Sequence, residues 1–489
     1  MDAVSSTSGV TWDAPPGAFA RNLRLGEWIG DPVTPLFESW LLTTMEETMH
    51  AGYARLVGQP PPRPLHIVLN GWYYYSLAFL PASPAAIARM LPGALARMAR
   101  EPRRVAPVFP PLARFGIDLY LGEWRTQLLP AYIAEVERAS AIVEAGPIER
   151  VPDVIDTLAV HAGDAFMSIT MVAGYGYKSE IPFARFYRKH LSARIGGNPQ
   201  TLLRGITAPS IDVHAATSLD WYFPTLSELE GRSPATPDRA RVVRERDELE
   251  RAARAALTPK LLRAFERQLT EARRGAALRE EQVAELTRAW PVFRRALARV
   301  GAHLVARDVL AAPDDVYFIT RTELMDALAG AGTSLAGLAA DRRALWQAQR
   351  ALKAPLVLGR LPRVLASVMD AADRALRDES GGGTLRGIPA SVGRASGRAR
   401  IVRGPDEFDR LEHGDVLVCP MTTPAWTVLF GRAIAIVTDV GSIAAHASIV
   451  AREYGLPAVV GTGDGTSRIP DGARVTVDGG AGVVTIVGD

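Results

Sequence analysis

The hydrophobic pattern of the chain changes character at Gly381-Gly-Gly383. From about Phe19 to Asp378, Ala, Leu, Arg and Glu dominate and apolar residues recur three and four apart, the spacing of one helix face. Beyond Thr384, short Val- and Ile-rich runs punctuated by glycine read as strands. One element cannot satisfy both periods, so the switch predicts two architectures in series. The fold class is multidomain α+β: a mainly helical unit over 1–380, a glycine-rich hinge at 381–384, and a β/α domain over 385–489. Three glycines offer little resistance to reorientation.

The clearest helical stretch runs from Asp238 to Leu310, where Leu249, Ala252, Ala256, Leu261, Leu262, Phe265 and Leu269 make one apolar stripe. Arginines and glutamates fill the opposite side and read as a solvated surface. Pro60-Pro-Pro62, Pro110-Pro-Leu112 and Gly231 to Pro234 mark turns between helices.

The most informative run is Thr438 to Gly461, which places His446 among small residues. Ala433 to Thr438 predicts a short strand, and Ala447 to Tyr454 a helix closed by Gly455 with Pro457 beyond it. His446 then lies where a loop enters a helix, and the backbone N–H groups and dipole of a helix start favour an anion there. Neutral imidazole is a nucleophile near neutral pH, so the position suits a phosphoryl group carried on the ring. Gly441, Ser442, Ala444 and Ala445 leave the ring uncrowded, as two successive active sites would require.

Composition narrows the remaining possibilities. A formal charge of +3 is too small to argue for nucleic acid, although the pI is near 9. Only four lysines occur, at 178, 189, 260 and 353. Cys419 is the sole cysteine, which excludes an internal disulfide and any multi-cysteine zinc site. HExxH and EF-hand patterns are absent, so no protein-held metal is expected. The first residues lack the basic and apolar regions of a signal peptide, and the apolar stretch from Ile67 to Ala82 is broken by Asn70 and Pro81. A cytoplasmic protein without membrane or nucleic-acid partners is expected.

The 438–461 run is similar to the phosphohistidine segment in the swivelling β/β/α domain of phosphoenolpyruvate-utilising enzymes. Leu385 to Gly393, Ser396 to Val402, Gly414 to Pro420, Thr422-Thr-Pro-Ala-Trp-Thr427 and Val475 to Val484 resemble that domain's other landmarks in order. Ser442 stands where the family usually has a second glycine, and Ala445 where Ser or Thr is frequent. Earlier, Glu27-Trp-Ile-Gly-Asp-Pro-Val-Thr-Pro-Leu36, Asn70-Gly-Trp-Tyr-Tyr-Tyr75 and Pro313 to Thr320 resemble the substrate-binding domain of the rifampin phosphotransferase family. That family begins with an ATP-grasp domain. The resemblance therefore implies that ATP and Mg2+ act through a separate ATP-grasp protein, this chain binding neither.

Several residues are candidates for the chemistry. His446 is the nucleophile, and the resemblance implies that Arg452 and Glu453 orient its loop. Trp72, Tyr74, His161, Met167, Tyr175 and His214 are candidates for a pocket taking a small-molecule substrate, with Tyr73, Tyr75, Phe166, Met171, Tyr177 and His50 as further members. The expected function is the substrate-binding and phosphohistidine-bearing component of a phosphotransferase acting on a hydroxyl. Two alternatives stay open: a donor-independent dehydratase with His446 as acid or base, and a non-catalytic phosphorelay or binding module.

Overall fold

The helical period of the front portion is realised as a bundle. The computed structural model describes residues 10–21, 28–57, 60–77, 92–93, 95–105, 117–206, 214–229, 238–330, 333–352, 354–359, 383–442 and 445–487, without the side chains of 171–174 and 176–178. Its principal helices here are α1 (Thr43–Val57), α2 (Leu129–Ala145), α3 (Val151–His190), α4 (Arg239–Ala255), α5 (Pro259–Leu286), α6 (Trp290–Val305) and α7 (Ala336–Arg350). Proline occupies the first turn of α2, α3, α5 and α6, where no intrahelical N–H bond is lost.

At 40 residues, α3 is about 60 Å long and packs against α1, α2 and α5. Trp40, Trp221, Trp290 and Phe293 are fully buried where these helices meet the 214–229 segment. The predicted stripe from Leu249 to Leu269 is split between α4 and α5, because Pro259 starts a new helix. Leu249, Ala256, Leu261, Leu262, Phe265 and Leu269 still meet in one cluster, but Ala253 is buried in place of Ala252.

The front portion also holds a small sheet that the helical reading did not foresee. Strands β1 (Ala18–Ala20), β2 (His66–Leu69), β3 (Trp72–Ser76) and β4 (Val357–Gly359) pair antiparallel in the order β2-β3-β1-β4. Asn70 and Gly71 both have positive φ, 49° and 80°, the requirement of the tight turn that Asn-Gly favours between two strands. The aromatic run after that turn therefore alternates sides. Trp72 and Tyr74 join one apolar cluster, Tyr73 and Tyr75 another.

After residue 383 the chain forms an eight-stranded mixed sheet: β5 (Thr384–Arg386), β6 (Ile388–Ser391), β7 (Arg394–Ile401), β8 (Val416–Cys419), β9 (Ala435–Thr438), β10 (Ala458–Val460), β11 (Arg474–Asp478) and β12 (Val483–Ile486). Its order is β5-β12-β11-β7-β8-β9-β10-β6, with β7, β8, β9 and β10 parallel to their neighbours in that central run. Val416, Val418, Ala435 and Val437 fill one face, and Leu417, Cys419 and Ile436 the other. Helix α8 (His446–Tyr454) covers the second face with Ala447, Val450, Ala451 and Tyr454. Strands covered on both faces explain the unbroken apolar runs in the sequence. Of the proposed hinge, Gly381 and Gly382 lie outside the described residues, and Gly383 is in a turn with φ 87°.

Candidate active site

His446 is the first residue of α8, with Ala445 in the extended cap position before it, and Gly455 closes the helix at φ 65°. The strand, loop and helix fall where the sequence places them. The exposure does not. His446 is only 5% exposed, because the sheet domain is docked against the helical bundle and the ring faces the junction. Small neighbours clear space around a side chain, but the docked body fills that space.

Both ring nitrogens meet threonine hydroxyls from the Thr422–Thr427 segment: Thr422 Oγ1 is 3.1 Å from Nδ1, and Thr427 Oγ1 is 3.4 Å from Nε2. That segment follows β8 and turns through a short helix at Pro424–Trp426 and another at Thr427–Phe430. Thr423 Oγ1 donates to the Ala216 carbonyl (2.6 Å) and Trp426 Nε1 to the Thr217 carbonyl (3.2 Å), so the segment is fixed from the bundle side too.

A small pocket is lined by Met421, Thr422, Val440, Gly441, Ala445, His446 and Ala447 of the sheet domain and by Trp28 and Arg279 of the bundle. Arg279 lies on α5, is 5% exposed, and donates to Glu280 Oε1 at 3.0 Å. Burial, reinforced by the Arg279 charge, pushes the His446 pKa down to about 3. The imidazole is therefore neutral across the physiological range, the form that attacks phosphorus. Burial also holds the neighbouring Glu280 carboxyl above its ordinary pKa, with the nearby Glu453 charge acting in the same direction against Arg279.

Arg452 and Glu453 both reach the bundle. Arg452 Nη1 lies 3.4 Å from the Glu180 carboxylate of α3 while its Nε donates to the Ala390 carbonyl, and Glu453 Oε1 accepts from Ile206 N at 3.1 Å. Both are nearly fully buried, so they are not a surface ion pair.

The six proposed substrate residues do not converge on this pocket, and the reason differs for each. Trp72 donates to the Gln349 carbonyl at 3.2 Å and Tyr74 packs edge-on to Trp12, both within the small sheet. Met167 fills the space left by Gly52 between α1 and α3, and His161 is half-buried on α3. Tyr175 hydrogen-bonds Glu271, and His214 lies 2.7 Å from the Ala284 carbonyl, each tying a segment to α5. Of the further members, Tyr73, Tyr75 and Phe166 belong to the bundle core, His50 is half-buried on α1, and the side chains of Met171 and Tyr177 lie outside those described.

Trp28 and Arg279 were not singled out by sequence, yet Arg279 carries a signal in retrospect. It occupies the stripe formed by Ala272, Ala276, Val283 and Leu286, all buried on α5. A charge in an apolar register position is rarely buried without a task. Among the described residues, no cluster of His, Cys, Asp and Glu could hold a metal ion. No helix among them is long and apolar enough to cross a membrane.

Residues 411–482 match the family model described as "PEP-utilising enzyme, mobile domain". The chain is 40% identical over 193 residues to an uncharacterized phosphotransferase, YvkC, of Bacillus subtilis, covering 39% of this chain and 23% of the relative. It is 39% identical over 197 residues to a rifampicin phosphotransferase of Streptomyces sviceus (40% and 22%), and 55% identical over 101 residues to a phosphoenolpyruvate synthase of Aeropyrum pernix (20% and 12%). The chain thus spans less than a quarter of the length of these curated relatives.

Proposed function

From the premise that the chain carries the mobile domain of the PEP-utilising enzymes, we propose that it is the substrate-binding and phosphohistidine-bearing component of a phosphotransferase that acts on the hydroxyl of a small molecule. The observation that carries this reading is the pairing, in one pocket, of a buried neutral histidine on one unit with the buried Arg279 guanidinium of the other. Relatives named as phosphotransferases support the same class.

The chemistry follows from the contacts. With Nδ1 protonated and donating to Thr422, the lone pair is on Nε2, and the 3.4 Å contact there is the weaker of the two and the easier to give up. Attack by Nε2 on the donor forms the N–P bond as the donor's P–O bond breaks. In the second half-reaction the substrate hydroxyl oxygen forms a P–O bond while N–P breaks, and the lone pair returns to Nε2. The hydroxyl proton is taken up by a phosphoryl oxygen as the new P–O bond forms and is released to water from the product monoester. Arg279 and the first N–H groups of α8 face the transferring phosphoryl oxygens, where fixed positive charge lowers the barrier most.

The phosphoryl donor is proposed to bind on another polypeptide of ATP-grasp type, with ATP and Mg2+ held there. Calorimetric titration of this chain with magnesium-ATP is expected to be silent; a stoichiometric micromolar site would relocate the donor. The direct test is intact-mass measurement after incubation with ATP, Mg2+ and a candidate donor protein. A phosphoryl adduct mapped to His446 is expected, and turnover of substrate without any adduct would sink the reading.

A further inference from the structure

A second pocket adjoins the first at Met421, whose side chain lines both. The run from Trp28 to Asp31 also serves both: Trp28 borders the His446 pocket, while Gly30 and Asp31 border the other. A Cβ on Gly30 would meet Met421 Cγ at 3.1 Å and Sδ at 3.2 Å, so the thioether rests on bare glycine backbone and stands between the two spaces. An unbranched methionine side chain repacks readily, which makes it a movable divider.

The second pocket differs from the first in its chemistry. Phe223, Pro420 and Trp426 give it apolar walls. Of its hydroxyls, Thr217 Oγ1 donates to the Pro224 carbonyl at 2.7 Å and Ser218 Oγ to the Trp28 carbonyl at 3.3 Å. With their protons committed, both offer a ligand only lone pairs. Asp31 is an acceptor too, and among the described residues its one ion-pair partner is Arg350, whose Nε lies 2.8 Å from Oδ1. Burial, with the nearby Asp406 charge, holds the Asp31 carboxyl above its ordinary pKa against the pull of Arg350, so a further cation beside it would favour the ionised form. The exposed Arg403 donates through Nη2 to the Thr466 carbonyl.

The His446 pocket thus presents a nucleophile and a guanidinium, the second pocket presents acceptors, and the side chains beside Met421 are aromatic: Trp28 on one side, Phe223 and Trp426 on the other. We infer that the two pockets are halves of one acceptor site and that its substrate is an amino alcohol with a flat apolar body. The hydroxyl lies at His446, the body displaces Met421 and stacks among the aromatic rings, and the ammonium group sits among Asp31, Thr217 and Ser218. Asp31 and Met421 are then specificity-determining residues. The inference rests on the phosphotransfer reading for what happens at the hydroxyl end, but its test is a binding measurement.

The probes are para-(aminomethyl)benzyl alcohol and para-methylbenzyl alcohol, which share ring and hydroxyl and differ in the charged end. NMR titration of the full chain carrying isotope-labelled methionine methyl groups gives the affinities and reads Met421 directly, its signal assigned with Met421→Leu. Near neutral pH the amino compound is expected to bind at least about tenfold more tightly than the methyl compound and to shift the Met421 signal, and Asp31→Asn to remove that preference. Ser218→Ala leaves the Asp31–Arg350 pair in place and is expected to weaken binding of the amino compound about fivefold while sparing the methyl compound. Should Asp31→Asn fail to fold, Ser218→Ala carries the test. Equal affinities, no measurable binding of the amino compound, a preference unchanged in the folded variants, or an unmoved Met421 signal overturns the inference. Amino-alcohol selectivity without a phosphoryl adduct on His446 under any donor leaves the subsite standing and removes the phosphotransfer reading; an adduct on His446 with equal binding of the two probes does the reverse.

Discussion

The two walls of the His446 pocket are built in opposite ways. The sheet-domain wall comes from Met421 and Thr422 after β8 and from Val440, Gly441, Ala445, His446 and Ala447 after β9, which pairing between those strands sets side by side. The bundle wall is Trp28 and Arg279, brought together from parts of the chain far apart. Leu219 N and Ser218 Oγ both donate to the Trp28 carbonyl, so even its backbone is held by a third segment. On the proposed reading, a carrier wall made of contiguous motif can travel as a unit, whereas an acceptor wall exists only when the bundle is assembled. The first should keep its nucleophile in any docked partner's site; the second should govern what the phosphoryl group is delivered to.

The largest expected effect separates the walls outright. His446→Ala should abolish phosphoryl loading and turnover together, a loss of more than about 10⁴-fold, with circular dichroism and solubility unchanged because the ring fills a junction rather than a core. Wild-type turnover by this variant would remove the carrier wall from the mechanism. Next, Arg279→Ala should slow transfer to substrate by roughly 10²–10³-fold while loading of His446 by the donor is nearly retained. Single-turnover rates for the two half-reactions check this, and equal losses in both would mean the walls do not divide the work as proposed. In the same variant the His446 pKa should move upward from its depressed value, as read by NMR titration.

A smaller effect concerns acid stability. The folded state holds His446 near pKa 3 against an ordinary 6.5, so the unfolded chain takes the proton first. The stabilisation associated with the neutral ring is fully present above about pH 6.5 and is lost as pH falls toward 3, by up to ~1.4 kcal/mol per pH unit. His446→Gln should flatten that part of a denaturation-versus-pH curve; an unchanged slope would show that the ring is not shielded. The smallest effect is expected from Thr422→Val, which removes a single hydrogen bond to Nδ1 and should reduce loading by roughly five- to tenfold. A larger loss of transfer than of loading would place Thr422 with the bundle wall instead.

Legibility in the sequence followed the range of the forces involved. The β9–loop–α8 unit was readable because its period, its Gly455 cap and its flanking proline act within a few residues. The small front sheet escaped notice although Asn70-Gly71 announces a hairpin and aromatic residues favour strands, since its strands are only three to five residues long and lie among helical periods. The candidate substrate residues shared the same weakness: Trp72, Tyr74, Met167 and Tyr175 are large and apolar, and size alone does not say which of several cores a side chain fills. Arg279 was hidden among the arginines of a charged helix, and only its coincidence with the buried stripe of α5 sets it apart.

What the sequence determined by itself is the presence of a histidine at a helix start inside a glycine-punctuated β/α domain, because hydrogen-bonding periodicity and capping are local and leave their mark on neighbouring residues. Tertiary structure alone decided that this histidine is buried and neutral, that Arg279 faces it, and that Arg452 meets Glu180. Desolvation and Coulomb interactions depend on which surfaces are pressed together, and residues hundreds of positions apart carry no local trace of that contact.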